Sequence, residues 1–382
     1  MSPTTRALIL GITAILIGLP LLGWASFLLH VVPDGHADFR ANYTAGYLLR
    51  TGQPLYDYAL EVGVQNQKVS HEEVALPFIH PAYEALLYVP LSFLTYLQAY
   101  WVWFAVNLII LVSVYRLLRP ELGALSVVAI WLPVGAFAAF MPIGAAVVQG
   151  QDALLLLLLL ALAFAYFRSS EHLFVAGMFL GLAVFRFHIV LPIIVCFLFW
   201  KRWKVVIGFL VTASSAAALS VAVAGFWPYV SRMLVMGMQP DAAYYPPVSS
   251  MPNLRGLIES LGAGRWTILI ASLAILGVTV LAGSRCRLQQ QLSLGVTAAT
   301  LVGYHGLVHD LSILFIPFAL LIGSKRQGSL IIAGICFLVP SLLMFAPTHF
   351  YLTTFALLAL LFFLATPEHQ WSAQSQVELS PH

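Results

Sequence analysis

Charge is what this sequence has least of. Only 9% of its 382 residues are Asp, Glu, Lys or Arg, while 61% are hydrophobic; a soluble domain carries roughly 25% charged residues. Such a chain cannot cover a water-facing surface, which excludes a soluble enzyme and a disordered scaffold. The net charge of +3 is too small to draw a polyanion, so no nucleic-acid partner is expected. Cysteine is scarce too. Cys196, Cys286 and Cys336 lie in or beside apolar runs without metal-ligand spacing, which leaves neither a disulfide framework nor a zinc site. A glycine-rich phosphate loop, a Walker motif and a dinucleotide fingerprint are also missing, so nucleotide-driven chemistry is not expected. What remains is a polytopic membrane protein whose function rests on its few polar residues.

The first apolar run, to about Leu29, is longer than the core of a cleaved signal peptide and reads as a retained first crossing. Apolar runs give about twelve candidate crossings. They lie near 7–29, 97–118, 122–140, 152–167, 172–186, 189–200, 203–225, 266–283, 288–304, 310–323, 329–346 and 350–366. Charge tests this order. With the N-terminus inside, Arg6, Arg116, Arg119, Arg168, Lys201, Arg202, Lys204, Arg285, Arg287, Lys325 and Arg326 fall on the cytoplasmic side, eleven of eighteen basic residues. Asp34, Asp38, Asp57, Glu61, Glu72, Glu73, Asp241 and Glu259 then fall outside. The stretch 172–200 reads as one long helix or as two; a break at Arg186–His188 is preferred because it keeps Arg168 and Lys201 on one side. No inverted repeat of the transporter kind is visible.

Residues 1–366 therefore read as a single all-α transmembrane domain, followed by a short polar cytoplasmic tail, 367–382. Two outer segments interrupt it. In the first, 31–96, the stretches 39–50 and 82–94 have helical spacing but are too polar or too broken by proline to span, and read as helices lying at the interface. The second, 226–265, carries Trp227, Tyr229, Tyr244-Tyr245-Pro246-Pro247 and Asn253. Long loops of this kind are usually functional.

Four polar clusters carry the candidate chemistry. Asp34 and Asp38 follow the first helix within a turn of each other. A partly desolvated carboxylate there suits a general base, and it equally suits a helix N-cap; the two roles are compatible. Arg186 and His188 interrupt an apolar stretch, where charge is expensive and points to function. The arginine can grip a lipid phosphate through bidentate bonds, or snorkel, or pair with a carboxylate. Tyr304-His305-Gly306-Leu307-Val308-His309-Asp310 offers an imidazole oriented by an acid. Phosphate or sugar contact is favoured there over a metal, and a polar hairpin cap explains it more plainly. Gln149-Gly150-Gln151-Asp152 suits hydroxyl recognition or a simple turn.

The order of these residues is similar to a known family. Asp38-Phe39 with Tyr43-Thr44-Ala45-Gly46, then Gly52-Gln53-Pro54-Leu55-Tyr56-Asp57, Phe78-Ile79-His80-Pro81, Pro90-Leu91, Gly150-Gln151, the Gly177…Gly181…Arg186 helix and His309-Asp310-Leu311 follow one another. This resembles glycosyltransferase family 87, the polyprenol-phosphate-mannose-dependent mannosyltransferases of the GT-C superfamily, over about residues 7–366. The resemblance implies a GT-C-like fold and an inverting transfer of mannose from polyprenyl-phosphate-mannose to an extracytoplasmic glycolipid or glycan, in the cell's inner (plasma) membrane. It makes Asp38 the general base and places Arg186, His188 and His309 near the donor phosphate. Sugar and acceptor contacts fall to Asp34, Tyr43, Tyr56, His80, Gln151, Asp310 and Asn253. No metal and no cofactor beyond the lipid-linked donor is implied. Where relatives often carry an aromatic-Tyr-Pro-Pro element this chain has Phe78-Ile79-His80-Pro81, so acceptor contacts differ there, and another lipid-linked sugar is the alternative donor.

Two rivals stand beside this reading. A lipid or small-molecule transporter needs a polar path reaching the cytoplasmic side, whereas the polar residues here gather on the outer side. A binding protein without catalysis would tolerate loss of Asp38, and an enzyme would not. Oligomeric state, acceptor and linkage have no signature in the sequence.

Overall fold

The computed structural model describes residues 11, 14, 18, 21–70, 75–126, 131–238, 246–324 and 326–366. The start of the first expected crossing, Glu72, Glu73, Asp241, Tyr244, Tyr245, Lys325 and the tail 367–382 lie outside them. Among the described residues every regular element is helical. The chain makes two compact units. The first comprises 1–113, 134–155 and 213–246; the second comprises 114–133, 156–212 and 247–382.

The first unit contains α1 (Leu21–His30), the described end of the first apolar run. The outer segment follows as α2 (Phe39–Arg50), α3 (Tyr58–Lys68) and the single turn α4 (Ala82–Ala85), continued by 3-10 turns to Phe93. α2 coincides with the helix expected at 39–50. It buries Phe39, Ala41 to Gly46 and Leu48, burial on more than the one face that a surface-lying helix would hide. The helix expected at 82–94 is shorter because Pro90 cannot donate to a continuing α-helix and opens a 3-10 turn instead. α3 starts where the Asp57 side chain accepts from the backbone N–H of Ala59 and Leu60, at 2.9 and 3.2 Å. Next come α5 (Tyr96–Ser126), whose last part is assigned to the second unit, α6 (Leu132–Ala139), α7 (Met141–Gln149) and α8 (Ala153–Tyr166), most of which is assigned to the second unit. α6 and α7 are bent by 59°. The crossing expected at 122–140 does not form as one helix, since 122–126 finish α5 and α6 begins at Leu132.

The second unit contains α9 (Leu173–Leu182), a 3-10 turn Ala183–Arg186 and α10 (Phe187–Phe199), then the first part of α11 (Trp203–Ala224), which is assigned to it up to Thr212. α12 (Phe226–Met238) returns to the first unit. α13 (Leu254–Ser260), α14 (Arg265–Gly283), α15 (Leu288–Val302), α16 (Phe315–Gly323), α17 (Ser329–Leu343) and α18 (Thr353–Ala365) complete the second.

Five described helical runs are long and apolar enough to cross a membrane, six if the bent pair α6–α7 makes one crossing, rather than the expected twelve. Length explains part of the difference. α8 has 14 residues, hence a rise of about 21 Å against a hydrocarbon thickness of roughly 30 Å. Polarity explains α15, which buries every residue from Gln290 to Leu301. Its amides bond inside the unit: Gln290 Nε2 donates to the Leu364 carbonyl and Gln291 Nε2 to the Gly283 carbonyl, each at 2.8 Å. α14 is the opposite case. Leu269, Ile270, Leu273 and Leu281 are 47–75% exposed on it, an apolar face that only lipid or protein can cover.

Ser170–Phe199 qualifies as one 30-residue run, yet it does not run straight. A straight helix of that length rises about 45 Å. Phe167 and Phe197, near its two ends, have ring centroids 5.4 Å apart. The chain folds back at the 3-10 turn, where Arg186 takes φ −102° and ψ 55°, so Arg186 stands at the apex of a helical hairpin. This is the place of the preferred break at Arg186–His188. Gly177 permits the hairpin's packing, since a Cβ there would collide with the Val205 carbonyl of α11.

Candidate functional site

The first cluster, within the first unit, is centred on Asp38. Asp38 precedes α2, but its backbone is helical and its side chain makes no capping bond. Its carboxylate instead accepts from Gln151 Nε2 at 2.5 Å, while its backbone N–H donates to Gln149 Oε1 at 3.0 Å. Two amides on either side of Gly150 thus grip the acid from both ends. The turn that carries them requires Gly150, which ends α7 at φ +64° and packs so closely on Phe39 that a Cβ would lie 2.7 Å from the Phe39 Cβ. Tyr100 Oη donates to the Val148 carbonyl at 2.7 Å and Trp103 Nε1 to the Gly150 carbonyl at 2.9 Å. Phe39 packs among the rings of Tyr43, Tyr88, Tyr96, Tyr100 and Trp103 at centroid distances of 6.0–6.4 Å. Asp38 remains half-exposed on this rigid base.

The same turn delivers Asp152 to His80. His80 Nδ1 lies 2.5 Å from Glu84 Oε2 and 2.9 Å from Asp152 Oδ2, and both acids are wholly buried. Burial alone would lower the His80 pKa, but the charges of Glu84 and Asp152 outweigh it and raise it. Burial raises Glu84 against the opposing pull of His80. Beside them Glu61 Oε2 pairs with Arg232 Nη2 at 2.6 Å while Glu61 Oε1 accepts from the Phe78 N–H at 3.0 Å. Burial lifts the Glu61 pKa to about 7 in spite of that arginine.

The second cluster lies within the second unit. Arg186, 5% exposed at the hairpin apex, sets Nη1 3.2 Å from Asp310 Oδ1. Asp310 also accepts the Leu307 N–H at 2.9 Å, which closes the 308–314 turn. His309 Nε2 lies 3.8 Å from the same carboxylate oxygen, and His188 is electrostatically coupled to it. Burial lowers the His305 pKa to about 4; Asp310 opposes this, and Arg186, His309 and Arg255 add to it. The cluster is therefore rich in cationic groups around one acid, an arrangement suited to an anion.

The structure sorts the expected residues. Asp38 and Gln151 meet in the first unit, and Arg186, His309 and Asp310 meet in the second. Asp34 is exposed in the turn before α2. Three others are engaged within the protein. Tyr43 is 3% exposed and donates to the Leu94 carbonyl at 2.8 Å, so it belongs to the aromatic core. Asn253 is fully buried; it caps α13 by accepting from the Gly256 N–H at 2.9 Å and donates to the Gly303 carbonyl at 2.7 Å. Tyr56 donates to the His80 carbonyl at 2.8 Å and acts on the backbone of that segment. His80 is turned into the protein toward Glu84 and Asp152. Glu84 has no signal of its own in the sequence, and Gln149 and Asp152 read there only as parts of a turn suited to hydroxyl recognition. Glu84 stands four residues after His80, and Asp152 and Gln149 flank Gly150-Gln151, but only the fold joins the two stretches.

Helices of spanning length, apolar faces such as that of α14, a half-exposed acid–amide pair and buried acid–arginine pairs define an integral membrane protein with the makings of an enzyme. The model of glycosyltransferase family 87 matches residues 78–317, and the chain belongs to that family. It is a glycosyltransferase of the membrane. The matched stretch includes His80, Glu84, Asp152, Arg186, His309 and Asp310 and begins after Asp38, so it is shorter than the resemblance over 7–366. No curated protein and no solved structure matches the chain.

Proposed function

We propose that the protein transfers mannose from polyprenyl-phosphate-mannose to a hydroxyl of a glycolipid or glycan on the extracytoplasmic face of the inner membrane, with inversion at the anomeric carbon. The observation that carries this reading is Asp38: a half-exposed carboxylate relieved of helix capping and oriented by Gln151 at 2.5 Å. As the acceptor oxygen attacks the anomeric carbon, Asp38 takes its proton, the bond from that carbon to the phosphate oxygen breaks, and polyprenyl phosphate leaves. Within the second unit, Arg186, held by Asp310 at 3.2 Å with His309 beside it, is the cluster suited to a phosphate. Inversion of a β-linked donor gives an α-linked product.

A transfer assay tests it. Purified protein in nanodiscs receives labelled polyprenyl-phosphate-mannose and a membrane glycolipid extract, with Asp38→Asn alongside. Label is expected to enter a new product with wild type, and the variant is expected to lose about 10²–10⁴ in rate, the range of general-base catalysis, at unchanged melting temperature. Equal turnover by the two proteins overturns the assignment of Asp38. Transfer only from a different lipid-linked sugar replaces mannose and leaves the base in place.

A further inference from the structure

We propose that His80, Glu84 and Asp152 bind a divalent transition-metal ion, Zn²⁺ or Mn²⁺, that fastens the 80–84 segment to the turn 149–152. The three side chains come from two stretches of chain 68 residues apart, and one ligand atom from each lies within 4.8 Å of the others. A single ring nitrogen, His80 Nδ1, faces both carboxylates, at 2.5 and 2.9 Å. That nitrogen carries one proton and can give it fully to only one of them. A divalent cation at the centre takes the place of that proton and engages all three side chains at once.

The donor set of one imidazole and two carboxylates suits zinc or manganese better than a soft metal. Donors around a tetrahedral ion with bonds of ~2.1 Å stand roughly 3.4 Å apart, so the two histidine–carboxylate separations need to widen by less than ~1 Å, a side-chain adjustment. The surroundings hold the ligands as second partners hold metal ligands elsewhere. Tyr88 Oη lies 3.4 Å from Glu84 Oε1 and itself receives Asn42 Nδ2 at 3.2 Å. Tyr56 fixes the His80 carbonyl at 2.8 Å. Both acids are fully buried, while His80 keeps 14% of its side chain exposed, which gives an ion its way in. Asp152 adjoins Gln151, so the ion would steady the turn that orients Asp38. The binding itself does not depend on which sugar the enzyme transfers.

The full-length protein is purified in detergent without chelator and its metal content measured. After stripping with EDTA it is titrated with Zn²⁺ and with Mn²⁺ while melting is followed. One equivalent of metal per chain and a rise in melting temperature are expected, and Glu84→Gln and Asp152→Asn are expected to weaken binding at least tenfold, while Asp38→Asn binds as wild type does. Because a variant can lose metal by misfolding, Mn²⁺-loaded wild type is also examined by pulsed electron paramagnetic resonance, where a coupling to one imidazole nitrogen is expected. Wild type that neither binds nor is stabilised by either ion, variants that bind as wild type does, or a spectrum without nitrogen coupling each overturn the proposal. None of these readouts is turnover, so failure of the metal site and failure of the mannose reading are told apart.

Discussion

Asp38 shows how one residue's place in sequence can mislead about its work. An acid just before a helix is the commonest N-cap, and Asp57 before α3 is one. Asp38 has the same position but a helical backbone, which turns its side chain from the free N–H groups of α2 toward Gln151. The distinction lies in two dihedral angles and a contact across 113 residues, neither of which the sequence displays. Asn253 is the converse: a polar residue in an aromatic-rich loop that serves as a buried cap. At the same scale His305 yields a pH prediction. Its folded pKa, about 4, lies below the ordinary value of 6.5, chiefly through burial. A depressed pKa contributes stability that is complete above the unfolded value and is lost as pH falls through the folded one. The melting temperature of wild type should therefore fall more steeply between pH 6.5 and 4 than that of His305→Gln, which has no proton to take up. Parallel curves would show that His305 is not held neutral by the fold.

Elements are joined by pairs of such residues, and the sequence shows each partner but not the pairing. Arg186 reads from sequence as a charge interrupting an apolar run, and Asp310 as the acid of a His-Asp step; the hairpin apex and the 308–314 turn bring them to 3.2 Å. Both are buried, so the pair ties two elements of the second unit at the cost of desolvating two charges. Removing one partner leaves the other charged and unpaired, which costs about 3–5 kcal/mol, while replacing both with apolar groups of similar volume is close to neutral. Asp310→Asn or Arg186→Met alone should therefore lower the melting temperature sharply, and the double variant Arg186→Met/Asp310→Leu should recover most of it. Additive losses in the double variant would mean that the two charges act on separate partners. Legibility at this scale followed local signals. The helix at 39–50 was readable from its own spacing, and the glycines at 150 and 177 were visible as motif positions. Their reason for being glycine, close contact with Phe39 and with the Val205 carbonyl, needed the packing.

For the whole molecule, composition alone established a helical membrane protein, and the order of short motifs pointed to the family that the match at 78–317 supports. Composition did not establish the number of crossings, because apolar content marks buried interior and lipid-facing surface alike. α15 is buried from Gln290 to Leu301 while α14 is exposed over most of its length, although both have the apolar content of a crossing. The run 170–199 is where the two criteria collide. Length and hydropathy make it one long span; the contact of Phe167 with Phe197 makes it a hairpin of two short limbs. A straight span would separate Arg168 and Lys201 by the thickness of the membrane, and a hairpin returns them to the same side. Single cysteines at Arg168→Cys and Lys201→Cys, in a background where Cys196, Cys286 and Cys336 are replaced by serine or alanine, distinguish the two. The native thiols are buried, so their removal serves to silence background rather than to alter a surface. With a membrane-impermeant maleimide applied to intact cells and to inverted vesicles, both new cysteines should label in the same preparation. Positive charge at both positions predicts labelling from the cytoplasmic side, hence in the inverted vesicles. Labelling of one in each preparation would straighten the run into a single crossing, and it would remove Arg186 from an apex to the middle of a span.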